Sequence, residues 1–310
     1  MRERNVLHDE INNMEFALFL NDMNRYEGKN ICNYKQNIGN YVENGLQSIS
    51  NMLSKHELFE NKEFKYLYFG NEFCEYKIPT IDQLKKFLEI SKMEELIPVF
   101  VTPVVTDFGI RRISECLNYL NSYEGKISIV VNDFGVMQLL KKGRNNFEII
   151  AGRILDKLSH ESRASYEELY EYYGEEGIKY ATIPGILSEK HMKILDNYNV
   201  GRYEFDLPKV GIVAINKNTK LSLYWPYSYE TTGRVCVFRS FDKIANDKFS
   251  VGDACKMNCI NTIIERITTS SITNTKYYLF QMGNTMFYVN EKIDLNQISN
   301  TFDRIIVQVF

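Results

Sequence analysis

The chain has 310 residues, 44% of them hydrophobic and 25% charged, with 37 basic against 40 acidic side chains and a net charge of −3. Such a composition excludes a disordered chain, and the lack of a basic surplus or stripe disfavours a nucleic-acid binder. No run reaches the roughly 18 to 20 apolar residues of a membrane helix, and the opening MRERNVLHDEINN lacks the apolar core of a signal peptide, so a cytoplasmic protein with reduced thiols is expected.

Taken in order, the apolar run at 14–20 reads as a buried strand. Ile38, Val42, Leu46, Ile49 and Leu53 then recur at helical spacing, which predicts an amphipathic helix over 38–56. A strand at 64–69 ends at Gly70, and Pro79 and Thr80 open a helix over 81–92. Strands follow at 97–105, 126–131, 147–151 and 179–183, then 203–205 and 211–214; helices fall between them at 111–120, 134–142, 166–173 and 188–198. Strand and helix thus alternate seven or eight times, which predicts parallel strands joined by crossover helices. That many cycles favours a TIM-like (β/α) barrel, closed or incomplete, over an open sheet, and the fingerprint GxGxxG of the open alternative is missing. The rhythm stops at Leu221. We therefore expect a barrel over 1–220 and a C-terminal extension over 221–310, with β-like runs at 275–281, 285–289 and 304–309.

In such a barrel the chemistry sits where strands end. Those positions carry Asn71, Glu72 and Cys74, then Thr102, Asn132 and Asp133, then Gly152 and Arg153, and finally Glu204 and Asp206. Asp133, Arg153 and Glu204 are the candidate catalytic residues, against the simpler readings that Asp133 caps a helix and Arg153 pairs with an acid. The extension holds three of the six cysteines, Cys236, Cys255 and Cys259, in a C-x18-C-x3-C arrangement, with Gly233 allowing a sharp turn before the first. Thiolates grouped this way suit zinc or an iron–sulfur cluster, and either needs a fourth ligand. Cys74 is the best choice, because it lies on the rim over which the extension has to pack. Cys32 and Cys116 read as inert buried thiols, and the four histidines stand apart from the cysteines. The aromatic patch Tyr224, Trp225, Tyr227 and Tyr229 reads as packing or as a shield for a cluster.

The phrases YLYFGNEFC, VVNDFGVMQLL, IIAGRILDK, RYEFDLPKVGI, TTGRVC and CKMNC occur in this order along the chain. In them the sequence resembles the collagenase-like peptidase family, peptidase family U32, and within it the iron–sulfur proteins of oxygen-independent ubiquinone hydroxylation. The resemblance implies a TIM-like barrel and a 4Fe–4S cluster on Cys74, Cys236, Cys255 and Cys259, favouring iron–sulfur over zinc. It further implies an oxygen-independent hydroxylase-type redox enzyme, or one subunit of a pair of related chains, acting on a small molecule or a peptide. Two alternatives stand beside it: a peptidase, as the family name suggests, and a non-catalytic partner protein with a structural cluster.

Overall fold

The computed structural model describes residues 14–30, 62–143, 147–156, 158, 166–208, 211–212, 219–248, 255–260, 262–269, 276–289, 298 and 301–310. The helix expected over 38–56, Cys32, and His8, His56 and His160 lie outside them. In chain order the elements are β1 (Glu15–Leu20), β2 (Tyr66–Gly70), α1 (Ile81–Met93), β3 (Ile97–Val101), α2 (Asp107–Leu120), β4 (Ser128–Val131), α3 (Phe134–Lys142) and β5 (Glu148–Ala151). Then come α4 (Tyr166–Thr182), α5 (Glu189–Asp196), β6 (Val200–Asp206) and β7 (Leu221–Trp225). The last are β8 (Tyr227–Thr232), β9 (Ile264–Thr269), β10 (Lys276–Met282), β11 (Thr285–Val289) and β12 (Arg304–Val309).

Strands β1 to β7 and β12 form a closed barrel in which every pairing is parallel, with β12 between β7 and β1. The fold is thus the α/β barrel that the alternation predicts. Each strand sends alternate residues to opposite faces. Leu18, Leu67, Phe69, Phe100, Ile129, Phe205 and Leu223 pack outward with the helices, in one cluster that includes Phe87, Ile113 and Met137. Ala17, Phe19, Tyr66, Tyr68, Val99, Val101, Val130, Ile150, Tyr224 and Ile306 fill the interior. Local signals start the helices as the sequence suggests. Thr80 and Gln83 close a reciprocal capping box on α1, and the Asp133 carboxylate accepts from Gly135 N at 2.6 Å to start α3.

Three expectations need correction. The boundary at residue 220 is misplaced, because β7 and β12 both lie beyond it and both are barrel strands. The rhythm breaks there for a physical reason. The crossover from β7 to β12 carries a four-stranded antiparallel sheet, in the order β8-β11-β10-β9, where a helix is usual. The strand expected over 179–183 is the last turn of α4, where the Thr182 hydroxyl donates back to Ile178 O at 2.9 Å. Its β-branched residues favour a strand only weakly, and helical context overrides them. Gly211 and Ile212 are not in a strand, and the rest of the 211–214 run lies outside the described residues.

The inserted sheet lies over the C-terminal ends of the barrel strands. Tyr227, Phe280 and Phe287 of the sheet pack with Phe73, which follows β2, and Phe310, which follows β12. Among the described residues no helix is long and apolar enough to cross a membrane.

Candidate metal centre

Polar residues on the inward register divide the barrel interior into three levels. At the N-terminal ends of the strands, Glu15 accepts from Lys65 Nζ at 2.7 Å and Arg304 Nη2 at 2.9 Å, and Arg202 is paired with Asp303. Burial works against ionised Glu15, but the hydrogen bonds from Lys65 and Arg304 outweigh it and hold its carboxyl at about 2. At mid-height Glu204 is fully buried and accepts from the Tyr68 hydroxyl at 2.8 Å and the Tyr224 hydroxyl at 2.9 Å. Burial pushes its carboxyl up to about 7, against those two donors.

A testable consequence follows from the sign of that shift. Between the ordinary carboxyl value of 4.5 and about 7 the folded protein holds a proton on Glu204 that the unfolded chain has released. Stability from this group is therefore complete below 4.5 and declines as pH rises through 7. Glu204→Gln stays neutral throughout. Urea unfolding of both proteins at pH 5 and pH 8 should show the variant gaining roughly 2–3 kcal/mol on the wild type across that interval. A gap that does not move with pH would exclude the protonated carboxyl.

At the top level Arg153 is fully enclosed. Its Nε and Nη2 donate to Glu72 at 2.8 and 2.6 Å, its Nη1 donates to Asp206 at 2.5 Å, and its Nη2 also donates to Gln308 Oε1 at 2.9 Å. The guanidinium stacks on the Tyr224 ring at 3.8 Å. One more bond runs from Nη1 to Tyr227 O in the inserted sheet. Arg153 thus ties β2, β6 and β12 to the sheet above them, and it does pair with acids, as the simpler reading of the sequence has it.

The cysteines lie outside this plug. Cys74, Cys236, Cys255 and Cys259 all line a single cleft of about 740 Å³. Each is positioned by a local device. Asn71 Oδ1 accepts from Phe73 N at 3.0 Å and Cys74 N at 2.7 Å, which turns the chain after β2 and starts a short 3-10 turn at Cys74. Met257, at φ +56, bends the CKMNC loop so that Cys255 and Cys259 reach the same cleft. Asn284 Nδ2 donates to Phe73 O and to Gly233 O, both at 2.7 Å, and so fastens the β10–β11 turn to the Cys74 loop and to the end of β8. In that turn Gly283 takes φ +59, and a side chain there would meet Cys259 Sγ at 3.6 Å. Gly233 itself takes no left-handed backbone, so the turn before Cys236 does not depend on it.

The sulfurs are provided with main-chain donors. Met257 N donates to Cys255 Sγ at 3.4 Å, the N–H groups of Tyr76 and Lys77 favour the Cys74 thiolate, and those of Arg239 and Phe238 favour that of Cys236. Burial outweighs those donors, raising the Cys236 thiol and pushing Cys74 up to about 11. Lys77, Arg111, Arg234 and Arg239 also line the cleft, and among the described residues Glu75 is the one carboxylate on its wall. The Glu75 carboxylate is occupied by the Thr106 N–H and hydroxyl at 2.8 and 2.7 Å.

Among the described residues no three Cys, His, Asp or Glu side chains stand close enough to share one metal ion. A four-iron cluster spreads its four thiolates around a cube, and its potential depends on hydrogen bonds to sulfur and on nearby charge. Four thiols line one roomy cleft with main-chain donors and cationic walls, and these are the residues that would hold such a group.

The chain matches no family model, no curated protein and no solved structure.

The three candidate catalytic residues are not brought together. Asp133 caps α3, Arg153 is enclosed in the plug, Glu204 lies below it, and none of them lines the cysteine cleft. Cys116 is buried on α2, with its thiol against Pro79 O. The aromatic patch does serve as packing, with Tyr224 under Arg153 and Tyr227 and Tyr229 in the sheet core. Sequence reasoning missed Tyr68, Gln308, Asn284 and the cationic wall. For Gln308 a signal exists, since it shares the inward register of β12 with Arg304 and Ile306.

Proposed function

We propose that this chain is an iron–sulfur protein of the U32 type, holding a 4Fe–4S cluster on Cys74, Cys236, Cys255 and Cys259 at the mouth of its barrel. In this reading it works in the cytoplasm as an oxygen-independent, hydroxylase-like redox enzyme on a small molecule or a peptide, alone or with a related partner chain. The observation that carries the reading is the meeting of four thiols, three from the inserted segment and one from the barrel, in one cleft. When bound, the cluster supplies one-electron chemistry. The chain's own residues do the rest. Asn71 and Asn284 hold the Cys74 loop against the sheet, and the Arg153 plug closes the barrel beneath it. Phe73, Tyr76 and Phe108 give the cleft apolar walls on which an organic substrate can lie.

A peptidase needs a nucleophile beside a base, or a metal with an open position. Of the histidines only His191 lies among the described residues, and its ring bonds locally to Gly185 O and the Ser188 hydroxyl. That gives the peptidase reading no support from the site.

Anaerobic purification tests the proposal, with visible absorption and iron and sulfide content measured on wild type and Cys255→Ala. A brown protein with about four irons and four sulfides, bleached in the variant, is the expected result. A colourless wild type holding one zinc, or no metal, would overturn it.

A further inference from the structure

The cleft has an outer rim of a different character from the rest of the molecule. On a chain whose net charge is −3, the rim gathers exposed Arg111 and Arg234 above Lys77 and Arg239. Large apolar side chains are exposed in the same segments: Phe108 at 40%, Val235 at 40%, Phe241 at 55% and Ile260 at 63%. The two cysteine-bearing loops form one surface here. Asn258 Nδ2 donates to Phe238 O at 3.2 Å, and Lys256 is paired with Asp242. Exposed apolar residues set beside cations are what a protein-docking face presents; exposed Asp107 and Asp242 lie in the same segments, and Asp242 is neutralised by Lys256. Cys236 and Cys255 are only half-buried, so whatever the thiols hold lies close to this surface.

We propose that this rim is the docking face for a small acidic electron-transfer protein of the ferredoxin class, which delivers single electrons to the cluster. The inference rests on the cluster reading above. Charge complementarity identifies the partner: a cationic rim on an acidic chain attracts an anionic surface and repels a second copy of itself. In the step, one electron leaves the reduced donor, which is oxidised, and the cluster on this chain is reduced; no bond forms or breaks. Such encounters are steered over distance, so their rates rise with opposite charge and fall with salt.

The test uses anaerobic, cluster-loaded full-length protein, with a reduced plant-type two-iron ferredoxin as the probe and cluster bleaching followed by stopped flow. The wild-type rate should fall about tenfold or more in 0.5 M salt, and as far at low salt in the double variant Arg111→Glu/Arg234→Glu. Reduction by methyl viologen radical should not slow in that variant, which keeps a damaged cluster apart from a lost docking face. A ferredoxin rate indifferent to both salt and charge reversal would overturn the proposal. So would self-association through this face, read by sedimentation, or a stronger charge dependence for RNA binding than for ferredoxin. Calorimetric binding of oxidised ferredoxin to cluster-free protein supplies an independent arm. If no cluster forms but binding persists and is lost on charge reversal, the function reading fails and the docking face stands. If no binding is seen, the docking face fails by itself.

Discussion

Arg153→Met is expected to lower stability by about 3–5 kcal/mol, measured by urea unfolding at pH 7. Five hydrogen bonds leave the guanidinium, four of them to Glu72, Asp206 and Gln308, and all three of those side chains are buried. Removing the cation takes the Arg153 charge away from the enclosed Glu72 and Asp206 carboxylates, and that penalty exceeds what the lost contacts contributed. Arg153→Lys keeps the charge but not the planar fork, so it should fall between wild type and Met. Arg153→Met combined with Glu72→Gln and Asp206→Asn removes all three charges, and should recover much of the loss. A single-variant cost below about 1 kcal/mol would show that the plug contributes little to holding the mouth together. Glu72 stands two residues before Cys74, so wherever Arg153→Met still folds, the cluster proposed on Cys74 predicts a lower iron content as well.

The second large effect is expected at Gly70. It ends β2 at φ +133, a backbone conformation that side chains rarely adopt. A Cβ there would meet Val101 O at 2.2 Å and Val101 C at 3.0 Å. Those atoms belong to the backbone of β3, directly opposite in the ladder, and cannot rotate away. Backbone strain alone amounts to roughly 1–3 kcal/mol, and the forced separation of β2 from β3 adds to it. Gly70→Ala should therefore lower thermal and urea stability more than any other single-methyl change near the site, and should also displace the Cys74 loop. Gly233→Ala is the control. Open space surrounds that position, so the change should stay within about 0.5 kcal/mol of wild type. Equal effects from the two substitutions would exclude the steric account.

The comparison of glycines shows how far the sequence could be read. Both glycines sit beside cysteines, and only the backbone angle distinguishes the essential one from the incidental one. Periodicity located most of the barrel because each strand buries two faces and each helix one, and both patterns are local. It failed at 179–183, where β-branched residues finish a helix, and it found the run at 304–309 without showing that this strand closes the barrel after an antiparallel excursion. The run at 179–183 ends α4 as helix, and the barrel takes two of its strands, β7 and β12, from beyond residue 220. The cysteine cleft was legible because thiols are rare and their spacing is informative. The plug was only partly so: Glu72, Arg153 and Asp206 were on the expected rim, but their mutual pairing depends on the closure of the barrel.

That closure has a temporal meaning. The barrel's seam joins its first strand to its last, Glu15 opposite Arg304 through Leu20 opposite Val309. During synthesis the ring stays open until the cap sheet and the cysteine loops have already been made. Closing the seam is a long-range event and correspondingly slow. The inserted segment leaves the barrel at β7 and returns at β12, so it is moored at both ends like a strap. Once the ring shuts, the segment that carries Cys236, Cys255 and Cys259 is anchored at both ends in the same ring as β2, the strand that leads to Cys74.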